Sequence, residues 1–262
     1  MMVDFARALK IQGRVLLALM LREARTRYGR RRAGYLWALI EPLVHITLFY
    51  YIFKFRLRYV PLGDSLLVFM ATGFLVFLGF RNVMNRTMGG YSSNEALLSF
   101  PIVNLMDVFL GRALLELTTW IVVLMLLFSG IVFLADARAP YSILKMLMAI
   151  ICLFSIGFGV GVSLGILMEF LPSVRTFFAI PNRILYWISG IFFLPDAMPP
   201  SLRDIMAWNP ILHGITLFRE GYYRGYESNM LDIRYLATWA IGCILVAFVM
   251  EIVARKPIRN LI

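Results

Sequence analysis

Apolar residues run through this chain in long blocks separated by short polar stretches. A helix needs about 20 mostly apolar residues to cross the hydrocarbon of a bilayer. Six blocks meet that length: 34–55, 64–82, 108–135, 142–169, 176–194 and 232–254. The pattern predicts an all-α polytopic membrane protein with six transmembrane helices and, because six is even, both termini on one side. Before the first block the period changes. On a helical wheel Arg7, Lys10, Arg14, Arg22 and Arg25 fall along one line, while Phe5, Leu9, Leu16, Leu19 and Met20 lie opposite, as expected of a basic amphipathic helix lying in a membrane interface. Two connections are longer than turns. The stretch 83–107 carries the turn signal GGYSS, then NEALLSF, which predicts a short helix. The stretch 195–231 mixes four prolines with apolar and aromatic runs too short to cross, and such pieces persist at membrane depth only when buried in protein or lining a wet cavity. They predict re-entrant or interfacial helices before the last span. The chain divides into an interface segment at 1–33, a bundle at 34–254 that includes the re-entrant segment 195–231, and a tail at 255–262.

Composition agrees with this reading. Hydrophobic residues make up 61% of the 262 positions and charged residues 16%, with a mean hydropathy of +0.79, too little polar surface to cover a soluble globule. The net charge of +11 suits anionic lipid headgroups better than nucleic acid, because the basic residues crowd beside the first span. With the N-terminus inside, the inner segments hold sixteen Lys and Arg and the outer ones nine, with Arg183 within a span. The positive-inside rule therefore puts both termini in the cytoplasm, although Lys54, Arg56 and Arg58 run against it. Cys152 and Cys243 sit inside apolar runs and read as packing residues.

Few catalytic arrangements are available. Gly161 to Gly165 spell GxSxG, and Ser163 with His213 as base would describe an intramembrane serine protease. The serine falls mid-helix, however, and not on the strand-to-helix elbow that activates such a nucleophile. Gly157, Gly161 and Gly165, four apart, also form the small-residue ladder that lets membrane helices pack closely. Two histidines, His45 and His213, without HExxH or cysteine pairs, leave little for a metal. A Walker A loop needs lysine after glycine, whereas Lys10, Lys54, Lys145 and Lys256 follow Leu9, Phe53, Leu144 and Arg255. No nucleotide is bound here by that route, so an ATP-driven pump would need its motor on another polypeptide. Charged and polar groups inside the blocks are costly in lipid and should face protein or water: Glu41, His45, Glu116, Glu169, Asn182 and Arg183. Arg112 and Glu116, four apart, are expected to pair along one helix, and Pro42 and Pro181 to kink or unwind theirs.

Three stretches, RTRYGRRRAGYLWALIEPLVH at 25–45, FPIVNLMDVFLGRALLE at 100–116 and WNPILHGITLFREGYYRGY at 208–226, together resemble the permease subunit of bacterial capsular polysaccharide exporters of the ABC-2 transporter class. The resemblance implies a single ABC-2-type transmembrane domain in the bacterial inner membrane. It implies two copies of the chain joined to two copies of an ATPase subunit, which would hold ATP and Mg. Further partners would be periplasmic co-polymerase-like and outer-membrane export proteins, and the cargo a lipid-linked acidic polysaccharide. O-antigen and teichoic acid exporters share this plan, and a lipid or drug permease has the same architecture. Arg27, Arg30, Arg31 and Arg32 would attract the anionic headgroup, since guanidinium groups match phosphate and carboxylate in forked geometry. Tyr35, Trp37, Glu41, His45, Arg183, Tyr186 and Trp187 would line the path. Coupling to the ATPase would fall on the N-terminal helix, with Arg22 and Arg25, and on a cytoplasmic coupling helix between spans 2 and 3, with Asn94, Glu95, Ser99, Phe100 and Pro101. An outer gate would contain Trp208, Asn209, Pro210, His213, Arg219 and Glu220. A purely topological role for the arginines, with Glu41 capping amides near Pro42, is the competing account.

Overall fold

The computed structural model describes residues 2–28, 33–56, 60–94 and 103–259. Nine α-helices are found among them: α1 Met2–Tyr28, α2 Ala33–Arg56, α3 Leu66–Met88, α4 Leu105–Leu134, α5 Ile143–Phe170, α6 Val174–Ile188, α7 Pro200–Met206, α8 Pro210–Tyr222 and α9 Ile233–Arg259, with a 3-10 turn at Pro195–Ala197. Five are long and apolar enough to cross a membrane: α2, α3, α4, α5 and α9. Local sequence explains their starts. Ser65 accepts from Val68 N and Ser142 from Lys145 N, and Asn104 with Asp107 forms a reciprocal capping box at α4, each satisfying amide groups that the first helical turn leaves free.

α3 is the hub. Nearly all of it is buried, and it packs on α2, α4, α5 and α8, while α5 packs most widely on α9, α3 and α8. The contact between α3 and α5 follows from the glycine ladder. A Cβ at Gly157 would stand 2.9 Å from Phe80 O, one at Gly161 2.7 Å from Met84 O, and one at Gly165 2.8 Å from Met88 O. Each step of the ladder thus meets the carbonyl one turn further along α3, which is close backbone packing of the small-residue kind. Gly159 performs the same service on the opposite face, against the backbone of Cys243 in α9. Ser163 lies within this packing and donates to Gly159 O at 2.9 Å. Its hydroxyl is spent on the helix, and His213 is engaged elsewhere. Ser163→Ala is accordingly expected to leave the folded yield and any export phenotype unchanged, measured by detergent-extracted yield and surface glycan.

Contacts sort the bundle ends. At one end lie α1, the start of α4, the ends of α3 and α5, where Gly165 meets Met88, and Arg255 of α9, within Coulombic reach of Asp107. At the other end Ser142 N donates to Gly221 O at 2.6 Å, Lys145 pairs with Glu220, and Asp232 N donates to His213.

The block at 176–194 is not one long helix. α6 spans 15 residues, Val174–Ile188, about 22 Å at 1.5 Å per residue, and Gly190 turns the chain at φ +76°. The following residues, Ser189–Phe192, are buried in bent backbone outside any helix. Both Pro42 and Pro181 lie inside helices assigned as continuous. The expected helix within NEALLSF lies at 95–100, outside the described residues.

Candidate functional site

Three groups of polar side chains stand out in an otherwise apolar molecule. The first fastens α1 to the bundle. α1 presents Arg7, Lys10, Arg14, Arg22 and Arg25 to solvent and half-buries Leu16, Leu19 and Met20, as its period predicts. It runs beside the start of α4, with Leu19 3.2 Å from the place a Cβ would take on Gly111. Polar contacts follow the same line: Gln12 donates to Asp107, Glu23 pairs with Arg112 at 3.1 Å, and Arg27 pairs with Glu116. Glu116 is 2% exposed and also has Arg86 at 3.9 Å. The expected pair within one helix, Arg112 with Glu116, is not formed. Each takes a partner from α1, and Arg112 donates as well to Gly89 O. Arg22 reaches past α4 to donate to Asn94 Oδ1 at 2.7 Å, while Asn94 Nδ2 donates to Gly90 O at 3.0 Å. Two residues singled out from separate segments for coupling thus touch each other. Arg25 is exposed. Arg30, Arg31, Arg32, Glu95, Ser99, Phe100 and Pro101, and the side chain of Tyr35, lie outside the described residues.

The second group is a seam between α2, α3 and α6. Glu41 Oε1 accepts from Arg81 Nη2 at 3.3 Å, and His45 Nδ1 donates to Glu41 O at 2.9 Å. Asn182 Oδ1 and Tyr186 Oη, one turn apart on α6, are buried without hydrogen-bond partners. Tyr186 sits among Phe49, Phe74, Phe77, Trp187 and Phe192, with ring centroids 5.5–6.2 Å away. Of the path candidates, Glu41, His45, Tyr186 and Trp187 come together here. Trp37 at 64% exposure and Arg183 do not join them and point away from the core. Sequence reasoning did not name Arg81 or Asn182 as path residues. The signal for Arg81 was an isolated cation near the end of an apolar block, 40 positions from its carboxylate, and no local spacing pairs them.

The third group closes the far end. All of α8 from Ile211 to Tyr222 is buried. It begins at Asn209, which accepts from Ile211 N and donates to Ser189 Oγ at 3.0 Å, followed by Pro210 at the first helical position, where a missing amide costs nothing. Arg219, fully buried, donates to Gly190 O at 2.6 Å, Ile191 O at 2.9 Å, Phe193 O at 3.1 Å and Thr72 Oγ1 at 3.3 Å, and lies 4.1 Å over the Phe69 ring. Burial lowers its pKa to about 10, so it stays protonated at neutral pH. Its five fixed donors suit three carbonyls that diverge from one turn. His213 Nε2 donates to Ala207 O at 2.8 Å while Nδ1 accepts from Asp232 N at 3.1 Å, which assigns the neutral Nε2–H tautomer. Glu220 pairs with Lys145 at 2.9 Å and accepts from Ser228 N. These gate candidates therefore tie α8 to α5, α9 and the segment after α6. Trp208 stands apart, 77% exposed. Among the described residues no three His, Cys, Asp or Glu side chains gather as a metal site.

Proteins of known role are similar to the chain along most of its length. The chain is 32% identical over 224 residues to the capsule polysaccharide export inner-membrane protein CtrC of Neisseria meningitidis serogroup B, covering 84% of this chain and 83% of the relative. It is 30% identical over 246 residues to the capsule polysaccharide export inner-membrane protein BexB of Haemophilus influenzae, covering 94% and 93%. To the polysialic acid transport protein KpsM of Escherichia coli it is 29% identical over 232 residues, covering 88% and 90%. These relatives are transport proteins. The pattern that defines ABC-2 type transporters matches residues 14–223, which takes in most of the three polar groups, and the chain belongs to the ABC-2 type transporter family.

Proposed function

We propose that this chain is the membrane-spanning subunit of an ATP-driven exporter that moves a lipid-linked, acidic capsular polysaccharide out of the cytoplasm across the bacterial inner membrane. The observation that carries the reading is the similarity to capsule export proteins over more than four fifths of the chain. ATP and Mg would be held by a separate ATPase, two copies of which join two copies of this chain, and periplasmic and outer-membrane export proteins would receive the polymer.

Six crossings are the count this reading uses. α5 ends at the α1 side of the bundle and α9 begins at the other, so residues 171–232 cross once. α6, rising to Ile191 against Gly73 of α3, is the segment that does so, and both termini then lie in the cytoplasm. α7 and α8 form the outer cap. A second copy is supported by two helices with little cover. In the apolar window of α2, 11% of residues are buried, and α6 has none. Phe177, Ile180, Ile184 and Trp187 on α6, with Trp37, Val44 and Leu48 on α2, are exposed. The conduit would run between copies, with the Glu41, Arg81, His45 and Tyr186 seam beside it. Arg30 to Arg32 would draw the anionic end of the cargo to the cytoplasmic mouth, while Arg27 is held by Glu116.

Coupling to the ATPase would pass through α1 and the residues around Asn94, which the hydrogen bond from Arg22 joins. In the co-expressed, co-purified assembly, Arg22→Ala and Asn94→Ala are each expected to reduce substrate-stimulated ATP hydrolysis several-fold. The double variant should be no worse than either single one, as for residues acting through one contact. The test of the function is purification of this chain with the ATPase encoded beside it: lipid-linked glycan should travel with the pair. An isolated chain that never binds an ATPase overturns the reading.

A further inference from the structure

At the far end of the bundle, on the side of α3 facing α4 and α5, lies a cavity of about 780 Å³. Its walls carry Asp64, Asp136, Arg138, Tyr141, Tyr223 and Arg224. The frame is tied down. Tyr141 N donates to Tyr222 O and Ser142 N to Gly221 O, Tyr222 Oη donates to Arg138 O at 2.7 Å, and Tyr223 packs on Gly63, whose φ of +71° and 2.5 Å clearance admit no side chain. Asp136 itself adopts a left-handed φ of 47°, uncommon outside glycine. The charged heads, in contrast, are free: among the described residues none of Asp64, Asp136, Arg138 and Arg224 makes an ion pair. Arg224 lies only 5.9 Å over the Tyr141 ring. The Tyr223 hydroxyl is buried beside Thr72.

A rigid frame presenting unpaired forked donors, unpaired carboxylates and an exposed aromatic ring is suited to a pyranose bearing a carboxylate. Guanidinium groups match the sugar carboxylate, Asp oxygens accept from ring hydroxyls, and the tyrosine face covers the apolar side of the ring. Arg219, buried one turn before Tyr223, adds positive potential below, so the acidic form is favoured over a neutral sugar. We propose that this cavity is an outer-face binding site for an acidic sugar residue of the exported chain. The site rests on the reading of an acidic glycan as cargo, and it stands apart from the seam, on the other side of the Arg219 clamp.

The test uses the permease with its ATPase in lipid nanodiscs, titrated calorimetrically with tetragalacturonate and with maltotetraose. The acidic oligosaccharide is expected to bind at least tenfold more tightly. The double substitution Arg138→Gln with Arg224→Gln, at exposed side chains outside the core, should remove that preference, and Tyr141→Ala should weaken both ligands. Because the chain is strongly basic, the double variant also separates this cavity from the arginines at the other end. Equal affinity for both oligosaccharides, or a preference that survives the double substitution, overturns the site. Neither result touches the association with an ATPase, which is read by co-purification.

Discussion

Arg219→Ala is expected to remove most of the folded protein from the membrane fraction. The side chain holds the carbonyls of Gly190, Ile191 and Phe193, in a segment that no helix or sheet satisfies. Each buried carbonyl left without a donor costs about 1–3 kcal/mol, and the space left by the largest fully buried side chain adds to that. A loss on the order of 5 kcal/mol would rival the whole stability of an ordinary domain. Lysine should recover little. Its single nitrogen keeps the charge but cannot reach three diverging carbonyls and stack on Phe69 at once. Fluorescence-detected size exclusion of a tagged chain would show an aggregated peak for both variants. A monodisperse Arg219→Ala protein with an unchanged melting midpoint would mean that the clamp is incidental.

Gly161→Leu is expected to be nearly as damaging, by a different route. The Cβ alone would sit 2.7 Å from Met84 O and 2.8 Å from the Thr87 Cβ, inside contact distance of backbone that cannot swing aside. Overpacking of this kind typically costs about 1–3 kcal/mol, and the rest of a leucine must be housed by prising α5 from α3, the most buried of the five long apolar helices. Gly13 and Gly130, which have open space around them, supply the control: alanine at either should be tolerated. The same melting and size-exclusion measurements read both. A Gly161→Leu protein as stable as these controls would contradict the close packing of α3 on α5.

Much of this architecture is legible in the hydrophobic pattern, because helix formation in lipid leaves a chain few options and five apolar blocks became five long helices. The glycine ladder was readable for the same reason: a four-residue repeat of small side chains has one physical use between helices. The block at 176–194 misled. ILYWISGIFFL, 184–194, is apolar but for Ser189, and its helix ends at Ile188 because Arg219, about 30 positions later, takes the carbonyls that a continued helix would have used. Gly190 was the one local hint. Charge pairing failed in the same way. Arg112 and Glu116 satisfy the spacing rule for a helix pair, but α1 packs alongside and supplies Glu23 and Arg27. A helical wheel shows that α1 has an apolar face and says nothing of what covers it. At the far end Asn209 and Pro210 announce a helix start in the local sequence. The burial of all of α8, and with it the structural duty of His213, Arg219 and Glu220, depends on α3, α5 and α9 closing around it.

The central claim is that this chain conducts a lipid-linked glycan only when a separate ATPase drives it. The direct measurement is protection of labelled lipid-linked glycan from an added glycan-cleaving enzyme in inverted vesicles that contain both proteins. The account predicts that protection rises with ATP and vanishes when either protein is omitted or the phosphate-binding lysine of the ATPase is replaced. Glycan that stays accessible in the presence of both proteins and ATP, or that becomes protected without the ATPase, would contradict it.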